Sequence, residues 1–365
     1  MERQRVAGLS DDQQALATRS LFKFFPPKKC AVQNLTFGMA PNECFGLLGV
    51  NGAGKTTTFD MLTNKILPTS GTAKILGIPI QNTPAIGYCP QFDALSDNLT
   101  GRETLQLLGR LNGFQNVDER VKLVLECVLL EKKANSLVKT YSGGQKRRLS
   151  IAACLMSGSK FLILDEPTAG VDPATRRHIW DLLIAMRNQN KAILLTTHSM
   201  EECEALCTRI GFLRAGRLRG IGTSQHLKSR YGNSFILTLI LNFPSRENAA
   251  FIDDAVRRRF DVSSTDSSPE HSALSWTLPK KEGSIWSEMY AVVEDFVDRV
   301  NRESGVEVIH DFYLIQDSLE QVFTRLANSE EDLPDENQEE PLQNAPRNST
   351  LLRNERRTTL DSLKF

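Results

Sequence analysis

The sequence predicts an α/β protein built on a phosphate-loop core with a helical insert, followed by a small α+β unit of ferredoxin-like order and a polar tail. Three observations predict it. Gly49-Val50-Asn51-Gly52-Ala53-Gly54-Lys55-Thr56 fits G-x-x-x-x-G-K-[ST] without a gap, between the apolar run Phe45 to Leu48 and a helical pattern from Thr56 to Leu67. Phe161 to Leu164 is wholly apolar and ends in Asp165-Glu166, as a central parallel strand would when it delivers carboxylates at its C-terminal edge. Beyond Gly232 the hydrophobic pattern restarts in the order β-α-β-β-α-β.

Composition bounds the rest. A chain of 365 residues has room for two domains. Forty-four basic and 44 acidic residues cancel, so the electrostatic footprint of a nucleic-acid binder is missing and no nucleic-acid partner is expected. No apolar run reaches the roughly 18 residues of a membrane span. The longest, Phe235 to Phe243, is interrupted by Thr238 and Asn242, and no signal-peptide pattern opens the chain. The seven cysteines are odd in number and scattered through apolar segments, which suits reduced thiols in cytosol. Cys203 and Cys207 with His198 nearby do not complete a four-ligand metal site.

Taken in order, residues 1–19 are polar with no strand or helix period and read as an extension, with the composition of a disordered arm. Phe22, Phe24 and Phe25 follow, either as the buried face of a strand or as aromatics that stack on a base. Val32 to Met39 alternates like a half-exposed strand. Ile86 to Cys89 leads into Pro90-Gln91-Phe92-Asp93, and helical spacing over Leu99 to Asn112 and Val117 to Ser136 places a helical subdomain at about 92–156. Tyr141-Ser142-Gly143-Gly144-Gln145 precedes a helix from Lys146 to Ser157, a second anion site by geometry. Ala192 to Leu195 is a buried strand that ends at Thr196-Thr197-His198. Ile210 to Leu213 and Arg217 to Ile221 flank a turn at Ala215-Gly216, and Thr223 to Tyr231 is a closing helix, so the first domain is 20–232.

The second unit, 233–328, reads as strand Ser234 to Asn242, helix Ser245 to Phe260, a strand pair within Val262 to Leu278, helix Ser284 to Arg302 and strand Val306 to Leu314. A last helix, Asp317 to Ala327, is expected to cap it. Residues 329–365, acidic from Glu330 to Glu340 and basic around Arg353 to Arg357, have the composition of a disordered tail. Its end, Leu363-Lys364-Phe365, would suit a PDZ domain.

The residues suggest a chemistry. Glycines at 49, 52 and 54 let the loop amides point inward, where with the helix dipole they form an anion site for a nucleoside triphosphate. Lys55 adds a charge that reaches the β- and γ-phosphates, and the Thr56 hydroxyl is placed for Mg²⁺. Of Asp165 and Glu166, one can hold Mg²⁺ beside Thr56 while the other takes a proton from an attacking water. His198 either touches the γ-phosphate or is structural.

With Gly49 to Thr56, Gln91, Tyr141 to Gln145, Asp165-Glu166 and His198 in this order, the chain resembles the nucleotide-binding domain of an ATP-binding-cassette protein. The wordings Glu43 to Thr56, Gly87 to Ala94 and His198 to Arg209 resemble the A subfamily, whose members mostly move lipids and sterols, and in particular its C-terminal cassette with the appended regulatory domain. The resemblance implies ATP hydrolysis with Mg²⁺. It places phosphates on Gly49, Asn51, Gly52, Ala53, Gly54, Lys55, Thr56 and Thr57. It assigns Thr56, Gln91 and Asp165 to the metal, Glu166 to the water, and His198 to the γ-phosphate, with Gln91 also linking to the helical subdomain. Ser142, Gly143, Gly144 and Gln145 would serve the ATP of a second, head-to-tail cassette, with Asp172 in the loop that communicates across that dimer. Phe25, with Phe24 as second choice, stands where an aromatic stacks on adenine, although Ser20 to Pro27 shows no clear strand.

The implied protein is the ATP-hydrolysing part of a lipid exporter, at the cytosolic face of a membrane, driving transmembrane domains not present in this chain. The alternatives are a regulatory module that uses ATP only to dimerise and an ATPase of the same superfamily acting on nucleic acid or ribosomes.

Overall fold

The computed structural model describes residues 2–8, 14–27, 29–82, 86–266, 273–280 and 286–328. The expectations for residues 329–365, including Leu363 to Phe365, lie outside the described residues. The first half of the core contains α1 (Glu2–Gly8), β1 (Leu16–Phe25), β2 (Lys29–Met39), β3 (Cys44–Leu48), α2 (Lys55–Leu62), β4 (Ser70–Ile75), β5 (Ile78–Pro79) and β6 (Gly87–Cys89). Three helices follow, α3 (Gly101–Leu111), α4 (Val117–Cys127) and α5 (Gly143–Leu155). The core then resumes with β7 (Phe161–Asp165), α6 (Pro173–Asn188), β8 (Ala192–Thr196), α7 (Met200–Leu206), β9 (Arg209–Arg214), β10 (Arg217–Gly222) and α8 (Ser224–Tyr231). The remainder is β11 (Ser234–Leu241), α9 (Arg246–Arg259), β12 (Ser264–Asp266), β13 (Ala273–Pro279), α10 (Trp286–Ser304), β14 (Ile309–Gln316) and α11 (Leu319–Asn328).

The central sheet has the order β10-β9-β3-β8-β7-β6. Its strands from β6 to β9 run parallel and only β10 is antiparallel. β3, β7 and β8 are buried along their whole length, which explains why they read as continuous apolar runs. The parallel order puts the C-terminal ends of β3, β7 and β8 side by side, with β8 between the other two. Ligands bind at such an edge. An antiparallel sheet, β2-β1-β4-β5, covers the central one, and Phe37 stacks on Phe45 with ring centroids 5.1 Å apart. α3, α4 and α5 bury a cluster of their own, including Leu105, Val121, Leu125, Leu149 and Met156.

The N-terminal reading is corrected. Residues 2–8 form a helix and β1 starts at Leu16, inside the stretch expected to lack structure, which also gives Ser20 to Phe25 the strand the sequence did not show. β1 lies between β2 and β4 and is covered, so Leu16, Ala17 and Thr18 are buried in succession and no alternation marks the strand. The Thr18 hydroxyl is accommodated by donating to Phe37 O at 3.0 Å. Glu2 ties α1 down by accepting from Arg5 at 2.8 Å and Arg209 at 2.6 Å. Burial pushes the Glu2 carboxyl up, but these two guanidinium groups bring it below its usual value. β2 also departs from alternation, since Leu35 to Met39 is wholly buried between two layers.

Helix boundaries shift for local reasons. α2 stops at Leu62, ahead of Asn64 at φ 58, and α4 stops at Cys127, ahead of Leu129 at φ 55. α5 begins three residues before the expected Lys146, because Ser142 and Gln145 form a capping box.

The strand order β14-β11-β13-β12, antiparallel throughout, is that of a ferredoxin-like unit. Its last helix behaves differently from expectation. α11 does not cap this unit; Leu319, Val322 and Leu326 pack with Leu48, Cys203, Ile210, Phe212 and Leu227 of the first domain. Phe323 lies 5.7 Å from Phe212 between ring centroids, and Arg325 donates to Tyr231 O at 2.6 Å. Helical periodicity gave the apolar stripe but could not say which surface it would meet.

Candidate functional site

The phosphate loop joins β3 to α2. Gly54 has φ 105, a conformation a side chain rarely adopts, and a Cβ there would stand 2.4 Å from Ala31 O. As N-cap of α2, Gly54 offers no side chain to the first amides, so the helix start is left bare for an anion. Lys55 follows, 9% exposed, its Nζ donating to Gly49 O at 2.6 Å and Val50 O at 3.3 Å across the loop. Burial lowers its pKa, and the nearby Glu166 and Asp165 carboxylates oppose that shift.

Opposite stands the end of β7. Asp165 is buried, and the Thr196 hydroxyl, its register partner on β8, donates to its Oδ1. Burial raises the Asp165 pKa, the Glu166 charge adds to this, and Thr196, Arg147 and Lys55 act against it. Glu166 turns sharply at φ 51, an unfavourable conformation for a side chain of this kind. Its amide donates to Thr196 O at 3.1 Å, which holds the turn, and its Oε1 lies 2.6 Å from His198 Nε2.

Asn51, Gly52, Ala53, Gly54, Lys55, Thr56, Thr57, Gln91, Asp165 and Glu166 line one cleft together with Lys29 and Ala31. Gly49 joins through its carbonyl to Lys55, and His198 through Glu166. The remaining candidates lie elsewhere. Phe25 pairs with Lys29 across β1 and β2, and its ring sits 5.1 Å from Lys23 Nζ. Ser142 caps α5, where it and Gly143 are exposed, and Gly144 and Gln145 also fall outside the cleft lining. Asp172 caps α6, and its carboxyl lies below its usual range because it accepts from the Thr175 amide.

Three residues of the site went unselected by sequence reasoning. Thr196 binds both acids, and its place directly across from Asp165 in a parallel pair was the available signal. Lys29 opens β2 with no motif around it. Glu202, 1% exposed, accepts from Thr168 at 2.9 Å and Trp180 at 3.2 Å, tying the turn after Glu166 to α6 and to the helix that follows His198.

A parallel sheet with a bare helix start facing an Asp-Glu pair and a histidine defines a class, that of the phosphate-loop nucleotide-binding proteins. The family model "ABC transporter" matches residues 32–169. The chain is 44% identical over 332 residues to the ABC transporter ced-7 of Caenorhabditis elegans, which covers 91% of this chain and 19% of that protein. Over 354 residues it is 40% identical to ATP-binding cassette sub-family A member 2 of Homo sapiens, 93% of this chain and 14% of the relative. Over 345 residues it is 39% identical to the phospholipid-transporting ATPase ABCA3 of Homo sapiens, 90% and 19% respectively. The chain therefore spans less than a fifth of the length of these relatives.

Among solved structures, one described as the ATP binding subunit of an ABC transporter has a TM-score of 0.56 at 25% identity, covering 60% of this chain and 93% of that one. The ATP-binding cassette MJ0796, in a dimeric post-hydrolysis state bound to ADP and Pi, has a TM-score of 0.53 at 22% identity, covering 57% and 98%. The chain carries an ATP-binding domain of the ABC transporter family, with strong similarity to A-subfamily members over most of its length.

Among the described residues, no helix is long and apolar enough to cross a membrane.

Proposed function

We propose that this chain is the Mg²⁺-dependent ATP-hydrolysing cassette of an A-subfamily transporter, powering lipid export through a membrane domain outside this chain, with residues 233–328 as a regulatory domain. The observation that carries the chemistry is the single cleft holding Lys55, Thr56, Gln91, Asp165 and Glu166, with His198 2.6 Å from Glu166. Lipid as the cargo rests on relatives described as phospholipid-transporting.

Lys55 and the loop amides hold the β- and γ-phosphates. Thr56, Gln91 and Asp165 supply a hydroxyl, an amide oxygen and a carboxylate, the all-oxygen donor set that Mg²⁺ prefers. When bound there, Mg²⁺ would neutralise charge on the phosphate oxygens. Glu166 takes the proton of the attacking water. His198 faces Glu166 and turns to the γ-phosphate, which frees the carboxylate for the water. Phe25, at the outer end of β1, stacks on adenine.

Two further features support assembly. The cleft, about 230 Å³, falls below the roughly 300 Å³ at which self-contained ligand pockets begin. Ser142 and Asp172 are exposed away from it. Both fit a site completed by Ser142 to Gln145 of a second cassette arranged head to tail, with Asp172 in the loop between the two sites. Phe92 is 82% exposed, and next to it in sequence Pro90, Ala94 and Leu95 line a groove of mixed polarity with Ile86, Leu108, Asn112 and Ser150; this surface receives the membrane domain at the cytosolic face.

The test is steady-state ATPase activity of Glu166→Gln. General-base loss is expected to lower turnover by about 10² to 10⁴, or roughly 3 to 5 kcal/mol of barrier, with ATP binding retained. Turnover at the parental rate would remove Glu166 from the role of base.

A further inference from the structure

One side chain outside the motif residues touches both halves of the proposed catalytic apparatus. Arg147 is the middle of three basic residues near the start of α5, and the sequence gives no reason to choose it over Lys146 or Arg148. The structure separates them. Arg147 is 3% exposed, whereas Lys146 reaches out to Asp97 at 2.9 Å and Arg148 donates to Val128 O at 3.1 Å.

The Arg147 guanidinium lies where β6 and β7 diverge. These strands are paired up to Cys89 and Leu164, and beyond that register the ladder between them ends and leaves carbonyls without an N–H from the other strand. Arg147 takes them over. Nη1 donates to Pro90 O at 2.5 Å, Gln91 O at 3.4 Å and Asp93 Oδ1 at 3.3 Å. Nη2 donates to Asp165 O and, at 2.9 Å, to Glu166 O, while Nε donates to Pro167 O at 3.2 Å. Ser150 on the same helix donates to Asp93 Oδ1 at 2.7 Å and fixes that acceptor.

We propose that Arg147 is a positioning residue for ATP hydrolysis: it sets the distance between Gln91 and the Asp165-Glu166 pair and ties both to α5. The proposal rests on the roles given above to Gln91 and Asp165 as metal ligands and to Glu166 as base. Because Ser142 caps the same helix, a displacement of α5 by a nucleotide at Ser142 would reach both Gln91 and Glu166 through the Arg147 guanidinium. A planar fork with five N–H donors can span two diverging strands; an ammonium, with three donors on one atom, cannot.

The experiment compares the chain with Arg147→Lys, Asp93→Asn and the exposed control Lys146→Ala. Readouts are thermal midpoint, binding of a fluorescent ATP analogue in EDTA, kcat, and the Mg²⁺ concentration giving half the maximal rate. For Arg147→Lys, kcat is expected to fall and the Mg²⁺ requirement to rise, each by about tenfold, the scale on which partners behind a metal ligand act. Binding in EDTA stays unchanged because Lys55 and the loop amides are untouched. Asp93→Asn moves kcat and Mg²⁺ requirement in the same direction by less, and Lys146→Ala moves neither. Should Arg147→Lys fail to fold, Asp93→Asn decides the matter.

An unchanged Mg²⁺ requirement in every folded variant overturns the proposal, as does a loss in Arg147→Lys matched by weaker binding in EDTA. Failure of the functional reading itself looks different: the parental chain would then show no Mg²⁺-dependent turnover, or Glu166→Gln would retain it.

Discussion

α2 and α5 both begin at glycine-rich turns that the sequence marks as anion sites, yet the two helix starts are built in opposite ways. α2 starts at Gly54, held at φ 105 with no side chain to receive its amides. α5 starts at Ser142, whose hydroxyl accepts from the Gln145 amide at 3.3 Å while Gln145 Oε1 accepts from the Ser142 amide at 3.0 Å. α3 and α11 are closed in the same reciprocal fashion by Thr100 with Glu103 and by Ser318 with Gln321. A bare start leaves donors that only a ligand or water satisfies, so the first amides of α2 stay free for an anion. α5 closes its Ser142 and Gln145 amides without one. The phosphate loop is thus an anion holder in its own right, and the Ser142 turn is a self-supporting surface that can be offered to another molecule's nucleotide.

Mixing two defective chains tests this division most strongly. Lys55→Ala removes the cation of the bare start and should weaken ATP binding by about 10- to 100-fold, roughly 1.5 to 3 kcal/mol. Ser142→Arg instead spoils the offered surface and should leave each chain's own loop able to bind ATP. Neither variant alone should turn over well. Together they form pairs in which one interface combines both lesions and the other keeps an intact Lys55 and an intact Ser142. Activity of the mixture should therefore exceed the mean of the separate variants and rise with protein concentration. ATP-dependent dimers of Glu166→Gln, shown by crosslinking, are the prerequisite; dimers without rescue would place Ser142 and Lys55 on the same nucleotide.

How much of this was legible depended on whether a residue's task is local. The phosphate loop, the apolar strands β3, β7 and β8, and the order of elements in the second unit were readable because glycine spacing and hydrophobic period are local facts. The start of β1 was missed because Leu16, Ala17 and Thr18 are buried in succession, which erased its alternation. Thr196, Glu202 and Arg147 were missed because each acts on strands or loops far away in sequence, Thr196 on Asp165, Glu202 on Thr168 and Arg147 on Pro90 and Glu166. The destination of α11 was invisible for the same reason.

That helix provides the next contrast. α11 is capped like α5, but it has an added anchor. Asp317, 1% exposed, accepts from Asn233 N at 2.8 Å, from the Ser234 hydroxyl and from Arg325 Nη2 at 3.0 Å. Burial pushes its pKa up, yet these donors leave it below the ordinary value. A depressed carboxylate pKa contributes stability that is present above the unfolded value of about 3.9 and lost as pH falls through the folded value. Asp317→Asn should lower unfolding stability by about 2 kcal/mol at neutral pH, and the gap to the parent should narrow as pH falls below about 4. Urea midpoints at both pH values check it. A gap that is constant with pH would mean that the cap at Ser318, and not the carboxylate, fastens the helix.

The smallest expected effect separates the two tasks of Ser142. As an N-cap, serine exceeds alanine by about 1 kcal/mol but glycine by only a few tenths, because glycine leaves the amides open to water. Ser142→Ala should thus melt measurably lower than Ser142→Gly, whose midpoint should stay close to that of the parent. Both lack the hydroxyl. If that hydroxyl serves the γ-phosphate of a partner's ATP, the two variants should lose ATPase activity to a similar degree despite their different stabilities. Activity that instead follows the melting order, with Ser142→Gly near parental and Ser142→Ala impaired, would show that Ser142 acts only by closing the end of α5. The two helix starts would then differ in stability alone, and the surface offered to a second nucleotide would have to be sought in the exposed backbone of Gly143.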